Sequence, residues 1–429
     1  MFQRTLLSVS RGLFTTQLCR SVERKPYSDT RKLTVVPEFD IEFIVDPANR
    51  SELEANIKKR KGIFNLDLIV ELYNKSKSES DPLKKESILE SLLNEACKLP
   101  NATHPEVGSS EPRTIKGYKP VDLDFPARQF HELAKYLGLL RTEELSNIMG
   151  RRSYFLIGEL AELEHALIKF TISKLLKHNF SLISVPDILP EYIIDACGMN
   201  TRGERTQIFK LKHFEEPQMC LAGTSEIGLA SLCMNSVFDV NDLPICFASV
   251  SRCHRAEISE LSQEQGLYRV HQFTKVEMFG IAHPDKSEDL FHKFVDIQHD
   301  IFTSLGLSFV ILDMPAYDLG RPAYRKFDME AWFPGRCMYG EVSSCSNCTD
   351  FQSRRLNIKF RDGDELRHVH TVNGTACAIP RTVMALFETH QLKNKNVVIP
   401  EPLRPFMDGK EEIRKEKPMP AEEKKHVEL

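Results

Sequence analysis

Two neighbouring segments of the chain combine charged side chains with a strand-like alternation. The first reads SRCHRAE at 251–257 and the second GLYRVHQFTKVEMFG at 266–280. Alternate side chains of an extended strand share a face. The second segment would therefore present one row, Arg269, His271, Phe273, Lys275 and Glu277. Guanidinium groups suit phosphate oxygens, an aromatic ring suits adenine and a carboxylate suits an amine. The pattern predicts a nucleotide-binding face on a β-hairpin.

A solvated sheet face crossed by ion pairs would show the same alternation, and the spacing alone favours that interpretation. A resemblance reverses the preference. SRCHRAE followed by GLYRVHQFTKVE resembles motif 2 of the class II aminoacyl-tRNA synthetases. The version ending in RVHQFTKVE is similar to the seryl-tRNA synthetases in particular.

Further segments extend this resemblance in the same order along the chain. LAGTSE at 221–226 resembles the serine-binding loop of the family, and 322–361 resembles its catalytic segment. NGTACAIPRTVMALFE at 373–388 resembles motif 3, where Pro380 fits the first turn of a helix and holds Arg381 at the helix N-terminus. Anionic phosphate is favoured at that position. The helix and strand that end at Pro186 resemble motif 1, which supplies the family's dimer interface.

The resemblance implies a role for each matching residue. The serine pocket would be formed by Thr224, Ser225, Glu226, Glu277 and Thr375. The ATP site would be formed by Arg255, Glu257, Phe273, Glu341, Val342, Ser343, Ser344 and Arg381. Arg255, Arg381 and Glu341 would carry catalysis, and Glu341 with Ser344 would bind Mg²⁺ together with ATP. A polar pocket of this kind rejects alanine and glycine because they leave it unpaired.

No protein nucleophile is implied, since the serine carboxylate attacks the α-phosphorus of ATP directly. Catalysis then comes from alignment and from cations that stabilise negative charge. His271 and Cys345 are better interpreted as structural residues, because neither has a visible third partner to complete a triad. The roles of Arg269 and Lys275 are assigned less firmly by the resemblance.

The implied fold is α+β, a mostly antiparallel sheet flanked by helices and preceded by a small helical module. We predict a mitochondrial presequence at 1–33, a shortened helical tRNA-binding module at 34–105, a catalytic domain at 106–410 and a charged tail at 411–429. Within these limits, the Pro, Gly and Ser-rich stretch at 100–117 is interpreted as a linker.

The N-terminus predicts the compartment. Its first 22 residues contain three arginines and no acidic residue, which is typical of a mitochondrial presequence and indicates the matrix. A disordered tail on a cytosolic protein is the alternative. No apolar stretch is long enough for a membrane span. Eleven cysteines include a single CxxC, Cys345 to Cys348, without further ligands of the usual spacing, so no structural zinc is expected.

The tRNA-binding region departs from the family pattern. The long helical arm of the family would have to fit between LDLIVEL at 66–72 and PNATHP at 100–105, so it must be severely shortened. Phosphate contacts supply much of nucleic-acid affinity, and the net charge is -4. The basic run 58–61 is the best remaining candidate for phosphate contact, although a solvated helix face explains it equally well. The loop ISELSQEQ at 258–265 is unusually acidic.

The implied partners are ATP, L-serine and a mitochondrial serine tRNA, within a homodimer or a heterodimer with a synthetase-like partner. Two alternatives stay open. A catalytically silent paralogue would act as a binding subunit in mitochondria, but every expected pocket residue is present, and unpaired buried charge is costly to retain. An adenylate-forming enzyme would pass serine to a carrier protein or another acceptor.

Overall fold

The computed structural model describes residues 35–61, 64–108, 110–142, 148, 150, 152–202, 206–212, 217–257 and 266–415. The predicted presequence, the acidic loop at 258–265 and residues 416–429 of the predicted tail lie outside these ranges. Within them, no helix is both long and apolar enough to cross a membrane.

Short helices build the N-terminal part of the described chain, as predicted. They are α1 (Ile41–Val45), α2 (Arg50–Lys59), α3 (Leu66–Ser78) and α4 (Pro82–Ala96). Asp81 caps α4 by accepting the backbone N–H groups of Leu83 and Lys84, with Pro82 in the first turn. The apolar faces meet in a small core that includes Ile57, Ile69, Leu92 and Ala96.

The remaining elements form the larger part of the molecule. The helices are α5 (Phe130–Leu137), α6 (Glu159–Lys177), α7 (Glu191–Ala196), α8 (Ser225–Leu232), α9 (Ser287–Ser304), α10 (Phe351–Leu356) and α11 (Ile379–Thr389). The strands are β1 (Arg113–Gly117), β2 (Leu140–Arg141), β3 (Phe155–Leu156), β4 (Ser181–Leu182), β5 (Ile188–Pro190), β6 (Met219–Leu221), β7 (Val237–Asp239), β8 (Ile245–His254), β9 (Gln272–Ala282), β10 (Phe309–Asp313), β11 (Arg325–Phe333), β12 (Met338–Thr349), β13 (Lys359–Asp362), β14 (Glu365–His368), β15 (His370–Ala378), β16 (Val397–Val398) and β17 (Glu412–Ile413).

Eight strands make the central sheet, in the spatial order β1-β10-β11-β12-β15-β9-β8-β4. Every neighbouring pair is antiparallel except β4 and β8, which run parallel. Helices α6, α9 and α11 contribute to one large apolar core, whereas α7, α8 and α10 contribute to a second. The predicted fold class, an antiparallel sheet flanked by helices, is confirmed.

The interpretation of residues 100–117 as a linker is partly wrong, because this stretch contains β1. This strand forms the edge of the central sheet against β10, and the Arg113 guanidinium lies 2.8 Å from Asp313 Oδ2. All five of its residues are exposed. An edge strand with no buried face lacks the apolar alternation by which strands are predicted, which explains why the sequence pattern did not identify it.

The basic run at 58–61 also needs correction. Arg60 is buried and donates hydrogen bonds to the backbone carbonyls of Ala102, Gly320 and Ala323. Lys61 Nζ lies 4.0 Å from the ring centroid of Tyr317. Two of the four cations therefore hold the helices to the rest of the molecule. Lys58 and Lys59 remain exposed and available for phosphate contact.

Candidate functional site

The predicted hairpin is present and carries the site on one face. Strands β8 and β9 pair antiparallel, with Ser249 opposite Glu277 and Cys253 opposite Phe273. Phe273, Lys275 and Glu277 alternate along β9 and so share a face, as expected. The strand begins only at Gln272, however, because residues 266–268 form a 3₁₀ turn. Arg269 and His271 therefore precede the strand instead of lying on it.

An open cleft of about 580 Å³ lies beside this face. The chain residues that line it are Arg255, Glu257, Leu267, Tyr268, Arg269, Val270, Phe273, Lys275, Glu341, Ser343, Ser344, Thr375, Ala378, Pro380 and Arg381. The structure thus brings together all of the predicted ATP-site residues except one. Val342 lies in the large apolar core with no exposed surface, so its side chain points away from the cleft.

One end of the cleft holds a stacked arginine and an ion pair. The Arg255 guanidinium carbon lies 5.3 Å from the ring centroid of Phe273, and Arg255 Nε donates to the Gly223 carbonyl at 3.4 Å. Glu257, buried and with a φ of 44°, accepts a hydrogen bond from Arg269 Nη1 at 3.2 Å. The sequence did not define a role for Arg269. Its hydrogen bond shows that it orients Glu257.

The other end is organised around Arg381. Helix α11 begins at Ile379 with Pro380 in its first turn, as predicted. Arg381 Nη1 donates to the carbonyl and the carboxylate of Glu341 at 3.0 and 3.1 Å, and the guanidinium lies 4.4 Å from the Tyr268 ring centroid. Burial acts to raise the pKa of Glu341, but Arg381, Lys326 and Arg255 outweigh it and hold that pKa below its usual range. The sequence analysis did not identify Tyr268 as a cleft residue. The signal available for it was an aromatic side chain at the start of the segment 266–280.

Glu277 lies at the centre of the predicted serine pocket and has no exposed surface. Its carboxylate accepts hydrogen bonds from Thr224 Oγ1 at 3.2 Å and Thr375 Oγ1 at 3.4 Å, and it is ion-paired with Lys275. Lys275 Nζ also donates to Thr375 Oγ1 at 3.4 Å. A buried carboxylate with three donors is fixed in position. Lys275 thus has a defined structural role as the counter-charge of Glu277.

Glu226 adds a second carboxylate to this pocket. Gln352 Nε2 donates to it at 2.6 Å and Asn373 Nδ2 at 2.7 Å. Burial and the nearby Glu277 raise the pKa of Glu226 to about 7. Gln352 and Asn373 were not identified from the sequence. Ser225 was identified, and its buried Oγ has no hydrogen-bond partner among the described residues.

The donors around Glu341 fit Mg²⁺. Magnesium is commonly held by one or two carboxylates together with water and substrate phosphates. The Glu341 side chain is 44% exposed, and Ser344 lies on the same strand and lines the same cleft. In the described ranges, no group of three or more His, Cys, Asp or Glu side chains is placed to hold a metal. Cys345 and Cys348 are both buried, and burial raises the pKa of each thiol.

The antiparallel sheet and its charged cleft define a class II aminoacyl-tRNA synthetase core, and residues 209–390 match the tRNA synthetase class II core domain (G, H, P, S and T). The mitochondrial serine–tRNA ligase of Saccharomyces cerevisiae is 38% identical over 380 residues, which cover 85% of this chain and 83% of the yeast protein. The chain belongs to the seryl-tRNA synthetase family.

Two further comparisons agree with this assignment. The mitochondrial serine–tRNA ligase of Mus musculus is 45% identical over 326 residues, or 74% of this chain. The match spans 63% of the mouse protein, which is less than two thirds of its length. The crystal structure of Pyrococcus horikoshii seryl-tRNA synthetase complexed with ATP superposes with a TM-score of 0.80 at 26% identity, covering 89% of this chain and 100% of that one.

Proposed function

We propose that the chain is a serine–tRNA ligase, which activates serine with ATP and transfers it to the 3′ end of a mitochondrial serine tRNA. The observation that carries this proposal is the buried carboxylate of Glu277, held by two threonines and Lys275 beside a cleft lined by arginines. The family assignment and the ATP bound to the Pyrococcus horikoshii relative support it.

Serine would bind with its ammonium and hydroxyl groups facing Glu226 and Glu277. Adenine would stack on Phe273, with Glu257 accepting from its amino group, and Arg255 would turn from the ring to the α-phosphate. Arg381 would contact the γ-phosphate from the first turn of α11, where the helix dipole adds to its charge. Alignment of the serine carboxylate with the α-phosphorus is then the main contribution of the protein.

Glu341 and Ser344 would hold Mg²⁺ beside the phosphates. The ion supplies positive charge that offsets the charge developing on the phosphate oxygens. Arg381, already hydrogen-bonded to Glu341 at 3.1 Å, would keep that carboxylate turned toward the cleft.

The domain limits are proposed as predicted, with a helical tRNA-binding module at 34–105 and a catalytic domain at 106–410. The exposed Lys58 and Lys59 are the proposed phosphate contacts of this module. Import into the mitochondrial matrix is supported by the acid-free N-terminus and by the mitochondrial relatives.

Dimerisation is supported by exposed apolar side chains on and around α6. Leu176 of this helix is exposed, as are residues of the segments that flank it, Phe155, Ile157, Leu182 and Ile188. Exposed apolar residues that form a contiguous patch are typical of an interface. We propose that this surface binds a second copy of the chain, and a synthetase-like partner with a matching surface is the alternative.

Serine affinity should depend on pH through Glu226. Its raised pKa of about 7 means that the carboxyl group gains a proton as the pH falls through neutrality, and the neutral acid no longer attracts the serine ammonium. We expect the serine Kd to rise below about pH 7 and to level off above it. Calorimetric titrations from about pH 6 to about pH 8 measure this effect. Glu226→Gln should bind weakly at every pH, and an unchanged pH profile in this variant would contradict the assignment.

Transfer is tested by charging a transcript of a mitochondrial serine tRNA with labelled serine. Charging with serine but not with alanine is the expected result. Serine activation without charging would limit the function to adenylate formation and would favour an acceptor other than tRNA. Such an outcome is the specific expectation of the carrier-protein alternative.

A further inference from the structure

The helical module contacts the catalytic domain through Arg60, which donates to carbonyls of the loop at 320–323. We propose that Arg60 is a positioning residue for that pocket: through the loop at 320–323 and the turn at 195–199, it fixes the segment that carries Thr224. This inference rests on the proposed function, because serine is the ligand whose binding it affects. No contact between Arg60 and substrate is involved.

The hydrogen bonds of the Arg60 guanidinium go mainly to backbone carbonyls and not to a carboxylate. It is 8% exposed, and its Nη2 donates to the carbonyls of Gly320 at 2.5 Å and Ala323 at 2.8 Å. Its Nη1 donates to the Ala102 carbonyl and to Thr103 Oγ1 at 3.1 and 3.2 Å. Burial lowers the pKa of Arg60 to about 10, which leaves it charged at neutral pH. A buried charge needs such hydrogen bonds to be tolerated, so the loop carbonyls are held in place around it.

The same loop reaches the turn at 195–199 through its next residues. Arg321 Nη2 donates to Asp195 Oδ1 at 2.8 Å, and Arg321 Nε donates to the Gly198 carbonyl at 3.2 Å. Pro322 packs so closely on Gly198 that an added Cβ would lie 2.8 Å from Pro322 Cδ. Gly198 also has a φ of 96°, which favours glycine. These contacts couple the position of the turn at 195–199 to that of the loop at 320–323.

The turn at 195–199 supports the segment that carries Thr224. An added Cβ on Gly223 would lie 2.9 Å from Met199 Cε, so the methionine lies against the backbone that precedes Thr224. Thr224 Oγ1 contacts Glu277 at 3.2 Å and caps α8 by accepting the Glu226 N–H at 3.3 Å. The path from Arg60 thus ends at the threonine that holds one pocket carboxylate and orients the helix of the other.

Most of the ATP cleft is supported by other elements, and Arg255 is the one cleft residue described above that also contacts the path, through the Gly223 carbonyl at 3.4 Å. Glu341 and Arg381 lie on β12 and α11, and their hydrogen bonds join them to each other and to Tyr268. A displacement transmitted through Arg60 should therefore weaken serine binding much more than ATP binding. A general loss of stability would not discriminate between the two substrates, which makes their comparison the decisive measurement.

The test compares Arg60→Met and Arg321→Met with Lys85→Met, an exposed cation on α4. Serine KM, ATP KM and kcat are measured by pyrophosphate exchange, and the serine Kd by calorimetry. We expect both arginine variants to raise serine KM about tenfold and ATP KM much less, since a misplacement of about 1 Å can cost up to about a hundredfold and these effects act through intervening residues. The double variant should lose no more than the stronger single variant, because both act on one path. Lys85→Met should resemble the parent chain.

Each outcome decides the proposal. Equal increases in both KM values, or unchanged serine binding in folded variants, would overturn it. If Arg60→Met does not fold, Arg321→Met decides alone, because the side chain of Arg321 is 25% exposed and that of its ion-pair partner Asp195 is 36% exposed. A parent chain that binds serine without exchange would refute the enzyme assignment, and the Kd values would still test Arg60. A parent chain that does not bind serine would overturn both proposals.

Discussion

Glu277→Gln should lower kcat/KM for serine in pyrophosphate exchange by at least about thirtyfold. The substitution keeps the shape of the side chain but removes one of the two carboxylate charges that would face the ammonium and hydroxyl groups of serine. It also leaves Lys275, which is buried, without its counter-charge. Truncating one member of a buried, hydrogen-bonded charge pair costs about 2–5 kcal/mol, which corresponds to a loss of about thirtyfold to several thousandfold. ATP binding, measured separately by calorimetry, should change little.

The matched control for Glu277 is Glu365→Gln, which removes the same charge from an exposed position on β14. It should retain the activity of the parent chain. Circular dichroism establishes that Glu277→Gln is folded before its kinetics are interpreted. A folded Glu277→Gln variant with normal serine KM and kcat would refute the assignment of the serine pocket.

The second large effect is expected at Arg381. Arg381→Met should lower kcat by about a hundredfold to a thousandfold, which is the usual effect of removing one group that stabilises charge in a transition state. The serine Kd should remain within about twofold, because the hydrogen bonds of Arg381 among the described residues go to Glu341 and Tyr268, and distant sites are usually independent. Arg381→Lys should recover only part of the activity, since lysine lacks the planar fork of donors.

Arg367→Met supplies the control for charge, because Arg367 is exposed on β14. Its kcat should match that of the parent chain. Normal kcat in Arg381→Met would show that the first turn of α11 does not contact ATP, and the cleft would then need a different ligand.

The sequence predicted the site well where a strand or a helix start determined the geometry. Phe273 and Glu277 share a face because strand alternation follows from backbone geometry alone. Arg381 lies at a helix start because Pro380 specifies one. The prediction that Arg269 and His271 share this face was wrong. A 3₁₀ turn precedes β9, and local propensity did not reveal where the strand begins.

Contacts between distant segments could not be predicted from local pattern. Gln352 on α10 and Asn373 on β15 hold Glu226, although both lie more than a hundred residues away from it in the chain. Arg60 is part of a basic run that resembles a solvated helix face, yet it is buried by a loop 260 residues further on. Only the tertiary fold brings these residues to their partners. The apolar core, by contrast, follows from the helical periodicity of segments such as α6.

The central claim is that this chain activates serine, and serine-dependent pyrophosphate exchange with ATP and Mg²⁺ tests it most directly. The assay uses the purified chain without residues 1–33, with alanine, glycine and threonine as competing amino acids. The predicted result is exchange with serine and no exchange with alanine, glycine or threonine. A folded chain that gives no exchange with serine would contradict the claim and would favour a catalytically silent subunit.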